Sequence, residues 1–208
     1  ESFRMPTFND LYYTFVGNSS LRPEFTKQYD VGATWIHNNN NGLLRTASIQ
    51  ADVYYNRVTD KIVAMPSSNL FRWTMMNLGE VEIKGLEVNT DTKFDLPKDF
   101  KLNLGLSYTY QKAIDITPKG STYGDQIPYT PIHSGTVTSF LGWREWDLHY
   151  SFIYTGERYS QKANIPVNYV QPWYTHDLAI GWEGKLLRNN LRLSAEVNNV
   201  FNQYYDVI

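Results

Sequence analysis

The sequence predicts an all-β fold: an antiparallel up-and-down meander of about eight strands of the transmembrane β-barrel type. Three observations lead there. Apolar and polar residues alternate with a period of two along one stretch after another, so each strand has one greasy side and one wet side. The connections alternate between short and long, which in a meander gathers all tight turns at one end. Tyrosine and tryptophan recur near strand ends, where an interfacial girdle falls.

The opening stretch makes the first strand. Thr26–Ile36 follows, with Tyr29, Val31, Ala33 and Trp35 on one face, and the run Asn38–Gly42 turns the chain. Arg45–Val63 sets Ile49, Ala51, Val53 and Tyr55 against Gln50, Asp52, Tyr54 and Asn56. After a longer link, Ala64–Met76, the stretch Asn77–Phe94 begins with Val81 and Ile83 on one parity and changes to Leu86 and Val88 across Gly85. That change predicts a bulge or a close backbone approach. Asp95–Asp99 is a short turn into Phe100–Gln111, where Phe100, Leu102, Leu104, Leu106, Tyr108 and Tyr110 oppose Lys101, Asn103, Gly105, Ser107 and Thr109.

A long link, Ile114–Ile127, leads to Pro128–Trp143, and the short Gly142–Glu145 turns into Trp146–Tyr159. There Leu148, Tyr150, Phe152 and Tyr154 oppose His149 and Ser151. Another long link, Ser160–Pro172, precedes Trp173–Trp182, and the short Lys185–Asn190 leads to the last strand. In that strand Leu191, Leu193, Ala195 and Val197 alternate with Arg192, Ser194, Glu196 and Asn198. Several strands exceed the roughly 9–11 residues needed to cross a bilayer, as expected where a wide barrel rises above it. Trp143, Trp146, Tyr159, Trp173 and Trp182 are the expected girdle. The apolar face is therefore expected to meet lipid. The polar face lines the interior through Gln50, Asp52, Lys101, Asn103, Asp177, Arg192, Glu196 and Asn198.

Composition agrees. Of 208 residues, 42% are hydrophobic and 19% charged, which argues against disorder. Nineteen basic against 21 acidic side chains give a net charge of −2, no electrostatic basis for binding nucleic acid. Sixteen Tyr, ten Phe and six Trp are the outlier, and their amphipathic rings suit an interface. There is no cysteine, so disulfides and zinc–thiolate sites are excluded. No apolar run reaches the roughly 18 residues of a spanning helix, and a mean hydropathy of −0.45 is compatible with strands that are half polar. Glu1-Ser2-Phe3-Arg4 opens without the apolar stretch of a signal peptide.

No catalytic or metal-binding pattern stands out. His37, His133, His149 and His176 lack the i/i+4 spacing of a zinc site. His133-Ser134 and His176-Asp177 are adjacent in strands, so their side chains point to opposite faces and cannot act as a pair. The glycines near Gly42 and Gly79 lack the strand–loop–helix setting that cradles phosphate, and Asn18-Ser19-Ser20 is a sequon too short to carry weight. No cofactor and no metal are expected. The long links are the one expected ligand site, and their aromatics and methionines, Phe71, Trp73, Met75, Met76, Tyr123, Tyr169 and Trp173, have two readings: they join the girdle or pack the loops, or some of them contact a bulky, partly apolar ligand from above.

Six landmarks in order resemble one family. "FRMPTFNDLYY" (Phe3–Tyr13) and "GNSSLRPEFTKQYDVG" (Gly17–Gly32) come first. "NLGEVEIKGLEV" (Asn77–Val88), "PYTPIHSG" (Pro128–Gly135), "YTGERY" (Tyr154–Tyr159) and "VNNVFNQYYD" (Val197–Asp206) follow. Together they resemble TonB-dependent outer-membrane receptors. That resemblance implies a late sector, residues 1–208, of a 22-stranded barrel whose plug domain, earlier strands and last strand lie outside this chain. It further implies the outer membrane of a Gram-negative cell, import of a scarce metal chelate without covalent chemistry, and coupling to the TonB complex through the absent plug. The lipid bilayer is a second partner, and the family leaves room for a surface-exposed, substrate-capturing lipoprotein. "YTGERY" and "GNSSLRPE" look most similar to the cobalamin branch, with ferric-siderophore and haem receptors as the alternative within the family. Two rivals come from other classes. One is a surface β protein binding glycans through aromatic loops, with Leu102, Leu104 and Leu106 buried in its own core. The other is an outer-membrane enzyme with a Ser/His or Asp/His pair on one face near a rim.

Overall fold

The computed structural model describes residues 1–39, 41–66, 72–186 and 189–205. Eleven strands are present in chain order: β1 (Ser2–Arg4), β2 (Glu24–Asn38), β3 (Leu44–Pro66), β4 (Trp73–Leu96), β5 (Phe100–Asp115), β6 (His133–Trp143), β7 (Trp146–Thr155), β8 (Arg158–Tyr159), β9 (Tyr169–Val170), β10 (Trp173–Leu186) and β11 (Asn189–Val197). Nine of them form one sheet in the order β1-β2-β3-β4-β5-β6-β7-β10-β11, and β8 pairs with β9 in a small ribbon between β7 and β10. Every neighbour in the sheet is antiparallel and next along the chain apart from that ribbon, as a meander requires.

Cross-strand partners share a face, so the register assigns every side chain a side. One face runs Val31↔Val53↔Leu86↔Tyr110 and Leu106↔Val137↔Phe152↔His176. It continues through Leu148↔Ile180↔Ala195. The other runs Thr34↔Gln50↔Asn89↔Ser107↔Thr136 and Ser151↔Asp177. Among the described residues nothing forms a second layer on the apolar face: Leu104 is 38% and Leu106 41% exposed. The rival with these leucines sealed between two packed sheets is thereby overturned.

The short turns 97–99 and 144–145 lie at one end of the sheet, and the long connections 5–23, 116–132 and 156–172 at the other. Buried side chains collect at the long-loop end. Val58, Leu78, Val81 and Ala113 pack with Ile127 of the 116–132 loop, and Val63 and Ile83 lean on them. Among the described residues the lower sheet has no such core.

Several boundaries differ from expectation. β3 and β4 run up to Pro66 and down from Trp73, so most of the expected Ala64–Met76 link is strand. Pro128 and Pro131 lack the N–H a ladder needs, and strand begins only at His133. Gly85 marks no bulge: Tyr54↔Gly85↔Gln111 pair without a register shift. Its parity change arises because Val81 and Ile83 lie on the otherwise polar face, where the loop-covered core shields them. What Gly85 provides is room. The Tyr54 ring lies across it, and the Tyr54 hydroxyl donates to Gln111 Oε1 at 2.7 Å, two strands away.

Candidate functional site

The outward aromatics define a level. Phe100 stacks on Trp143 with centroids 5.5 Å apart, and Trp146 neighbours Trp182 at 6.5 Å, a row next to the short turns. Tyr29, Tyr55, Tyr108, Tyr110, Tyr154 and Tyr174 form the opposite row on the same face. From Phe100 to Tyr110 is ten residues, about 34 Å along a strand and about 24 Å of rise at a tilt near 45°, the height of an outer-membrane apolar band. Trp173 is not in this girdle. It pairs with Thr155 on the polar face, stacks on Tyr205 at 4.4 Å, and stands at the long-loop rim. Tyr159 is in the ribbon and likewise outside the row.

The polar face collects all eight expected lining residues. Gln50 and Asp52 are on β3, Lys101 and Asn103 on β5, Asp177 on β10, Arg192 and Glu196 on β11, and Asn198 just beyond it. Six of them form two groups at different heights. Asn103, Asp177, Glu196 and Asn198 line a groove of about 390 Å³ together with Asp91 and His149. Nearer the short turns, Lys101 and Arg192 border a second hollow of about 580 Å³ with Asp147, His149 and Glu183. There Arg192 Nη2 is 3.1 Å from Asp147 Oδ1 and Nη1 is 3.5 Å from Glu183, while His149 Nε2 is 3.3 Å from Asp147 Oδ2. Gln50 and Asp52 stand apart, joined by a 2.8 Å hydrogen bond from Gln50 Nε2. Asp91, Asp147 and His149 were not among the expected lining residues, although the same alternation that singled out Asn103 points to all three.

At the mouth the long loops latch to one another. Asn164 Oδ1 accepts from Gln126 N at 2.6 Å, and Asn164 Nδ2 donates to Gln126 O at 3.1 Å. Tyr129 N donates to Tyr159 O at 2.8 Å. The first loop is tied to β4 and β3: Asn18 Nδ2 donates to Met75 O, Arg22 N donates to Asn77 Oδ1, and Arg22 pairs with Asp60. Within this loop a five-residue helix, α1 (Phe8–Tyr12), starts from a Thr7–Asp10 capping box. Asp10 is held below its ordinary value, chiefly by the backbone hydrogen bond from Thr7.

Of the expected mouth residues, Trp73, Met75 and Met76 lie in β4 rather than in a loop, Trp173 opens β10, and Tyr169 is in β9. Tyr123 is in a turn and 65% exposed, and Phe71 lies outside the described residues. Trp73 at the start of β4 neighbours Tyr129 of the 116–132 loop at 5.8 Å, and Tyr169 meets Tyr159 edge-on at 5.8 Å within the 156–172 connection. Burial pushes the Tyr129 phenol up, and a hydrogen bond to Glu157 does the same for Tyr169. Tyr129 and Tyr205 are not singled out by the sequence, and Tyr159 is expected in the girdle rather than at the mouth, because loop contacts follow no period. Among the described residues no His/Asp/Glu group could hold a metal ion.

Residues 1–200 match the model of the TonB dependent receptor-like β-barrel, so this chain belongs to that family, a family of outer-membrane β-barrels of Gram-negative bacteria without catalytic function. It is 28% identical over 207 residues to a vitamin B12 transporter of Photobacterium profundum, covering 98% of this chain and 30% of the relative. It is 24% identical to hemoglobin-binding protein A of Haemophilus influenzae, covering 99% of this chain and 22% of that one. Among solved structures, the unliganded ferric citrate transporter FecA superposes with a TM-score of 0.66 at 15% identity, over 88% of this chain and 27% of FecA. The chain thus spans less than a third of the length of each of these proteins.

Proposed function

We propose that residues 1–208 are a late sector of the barrel wall of an outer-membrane importer for a scarce metal chelate, driven by energy delivered through TonB to a plug domain outside this chain. The observation that carries the reading is the single sheet, apolar on one side and polar on the other over the stretch between the short turns and the loop-covered core. In this reading the eight lining residues border a water-accessible bore, and Trp73, Met75, Met76, Tyr123, Tyr169 and Trp173 stand at the side where cargo enters. The lipid bilayer contacts the other face, and a surface lipoprotein that captures cargo is a further partner at the loop end.

Iron-bearing cargo, a ferric siderophore or haem, is the reading better supported: a ferric citrate transporter and a hemoglobin-binding protein stand among the similar proteins. Cobalamin is the second reading, favoured by the likeness to the vitamin B12 transporter over almost the whole chain. The test is tryptophan quenching of the complete receptor titrated with ferric citrate, a catecholate siderophore, haem and cyanocobalamin. Saturable quenching by an iron chelate or haem supports the first reading, saturable quenching by cyanocobalamin alone moves the cargo to the second, and absence of both removes the proposal.

A further inference from the structure

Two of the sequence landmarks, Gly17–Gly32 and Asn77–Val88, meet at one point of the wall. β2 pairs with β3 up to Phe25↔Thr59, and β5 pairs with β4 up to Val81↔Asp115. Beyond these rungs β3 and β4 continue as a two-stranded arm, residues 61–66 and 73–78. A lone strand pair is weakly held and twists more than a wide sheet, so other contacts must fix its direction. At the base of the arm the pairing skips one rung: Thr59↔Glu80 and Lys61↔Leu78 flank Asp60 and Gly79. Asp60 has φ 55°, the one left-handed residue inside a strand among the described residues. A side chain with a Cβ disfavours that conformation, although Asp tolerates it better than most. The base of the arm is a bend point.

The two landmarks clasp this bend. Arg22 pairs with the Asp60 carboxylate, and Glu24 Oε2 accepts from Ile62 N at 2.9 Å. Asn77 Nδ2 donates to Asp60 O at 2.7 Å and to Arg22 O at 3.0 Å, while Asn77 Oδ1 accepts from Arg22 N at 2.9 Å. Leu78 anchors the β4 side of the arm in the core, which leaves the β3 side, at Asp60, to set the angle. The Arg22–Asp60 pair is exposed and contributes little to global stability, which suits a part that directs the arm rather than holds the barrel together. We propose that Asp60, clasped by Arg22 and Asn77, is a positioning residue that sets the angle at which the arm presents Trp73 and Met75 to cargo. The proposal rests on the import reading above but on no particular cargo.

Nitroxides at positions 53 and 64 of β3, below and above the bend and about 36 Å apart, report the angle in the complete receptor in lipid nanodiscs. Any cysteine elsewhere in it is replaced by serine. Double electron–electron resonance gives the distance distribution. Quenching titrations of the unlabelled proteins with ferric citrate, a catecholate siderophore, haem and cyanocobalamin give the affinity. Asp60→Gly keeps the left-handed backbone and loses the clasp, and Arg22→Ala loses it from the other side. Both should broaden the distance distribution and raise Kd about fivefold, the equilibrium ratio to which one exposed ion pair amounts. Quenching amplitude and heat-dependent gel mobility should stay at wild-type values. Asp60→Asn tolerates the same backbone and still accepts from Arg22, so it should recover part of both readings. Wild-type widths in Asp60→Gly and Arg22→Ala, or broad distances with unchanged affinity, overturn the proposal. A wild type that binds none of the four compounds removes the import reading, and the cargo role of Asp60 falls with it, whereas unchanged widths in a receptor that binds cargo overturn the clasp alone.

Discussion

Gly85 offers a sharp test of the register, because three strands meet at it. A methyl carbon there would stand 2.6 Å from Tyr54 Cε1 and closer still to Cζ and Oη. Gly85→Ala must therefore push the Tyr54 ring aside and break its 2.7 Å hydrogen bond to Gln111. Overpacking of this kind costs about 1–3 kcal/mol, and the lost hydrogen bond adds about 1 kcal/mol. The expected loss is about 2–4 kcal/mol. Tyr54→Phe, which removes only the hydroxyl, should cost about 1 kcal/mol. Tyr54→Ala empties the space above residue 85, so adding Gly85→Ala to it should cost little further. Urea unfolding of the complete receptor in lipid vesicles, followed by tryptophan fluorescence, gives the four corners of the cycle. Strictly additive losses, or a Gly85→Ala variant as stable as wild type, would refute the placement of Tyr54 over Gly85 and with it the β3–β4–β5 register.

Three further outcomes follow from other parts of the molecule. Arg192→Ala leaves the mostly buried Asp147 carboxylate with His149 alone, so it should destabilise more than Asp147→Asn, by about 1–3 kcal/mol in the same unfolding assay. Asn164→Ala removes both side-chain bonds to Gln126, so limited proteolysis between 116 and 172 should speed up severalfold while global unfolding changes little. The Asp10 carboxyl titrates lower in the folded loop than in the unfolded chain. Its contribution is therefore complete above the unfolded value of about 3.9 and disappears as pH falls through the lower folded value. The difference in loop proteolysis by pepsin between wild type and Asp10→Asn should shrink as the pH falls below that range.

Alternation made the two faces legible before any coordinates. Leu102, Leu104 and Leu106 against Lys101 and Asn103 already separate lipid side from bore side, because strand side chains have a period of two whatever surrounds them. The eight residues expected to line a bore share one face for the same reason. Boundaries were harder where tertiary structure overrides local pattern: Met75 and Met76 read as a link because the upper parts of β3 and β4 extend beyond the regular alternation. Gly85 was ambiguous because a glycine accommodates a bulge or an overlying ring equally well, and only the neighbouring strand says which. Trp173 misled by its type alone. An aromatic at a strand end suits either face, and its pairing with Thr155 puts it on the polar one. The mouth was least visible, since Tyr129, Tyr159, Gln126 and Asn164 come together through loop closure, which leaves no periodic trace.

The central claim is that one side of this sheet meets hydrocarbon and the other meets water. Residues 1–208 contain no cysteine, so single cysteines can be placed in turn from residue 102 to 107 on β5 of the complete receptor in liposomes, with any cysteine elsewhere in it replaced by serine. A membrane-impermeant maleimide should label positions 103, 105 and 107, and a lipid-phase nitroxide should contact 102, 104 and 106, in strict alternation. Labelling that is uniform along the strand, or alternates in the opposite phase, would contradict the account.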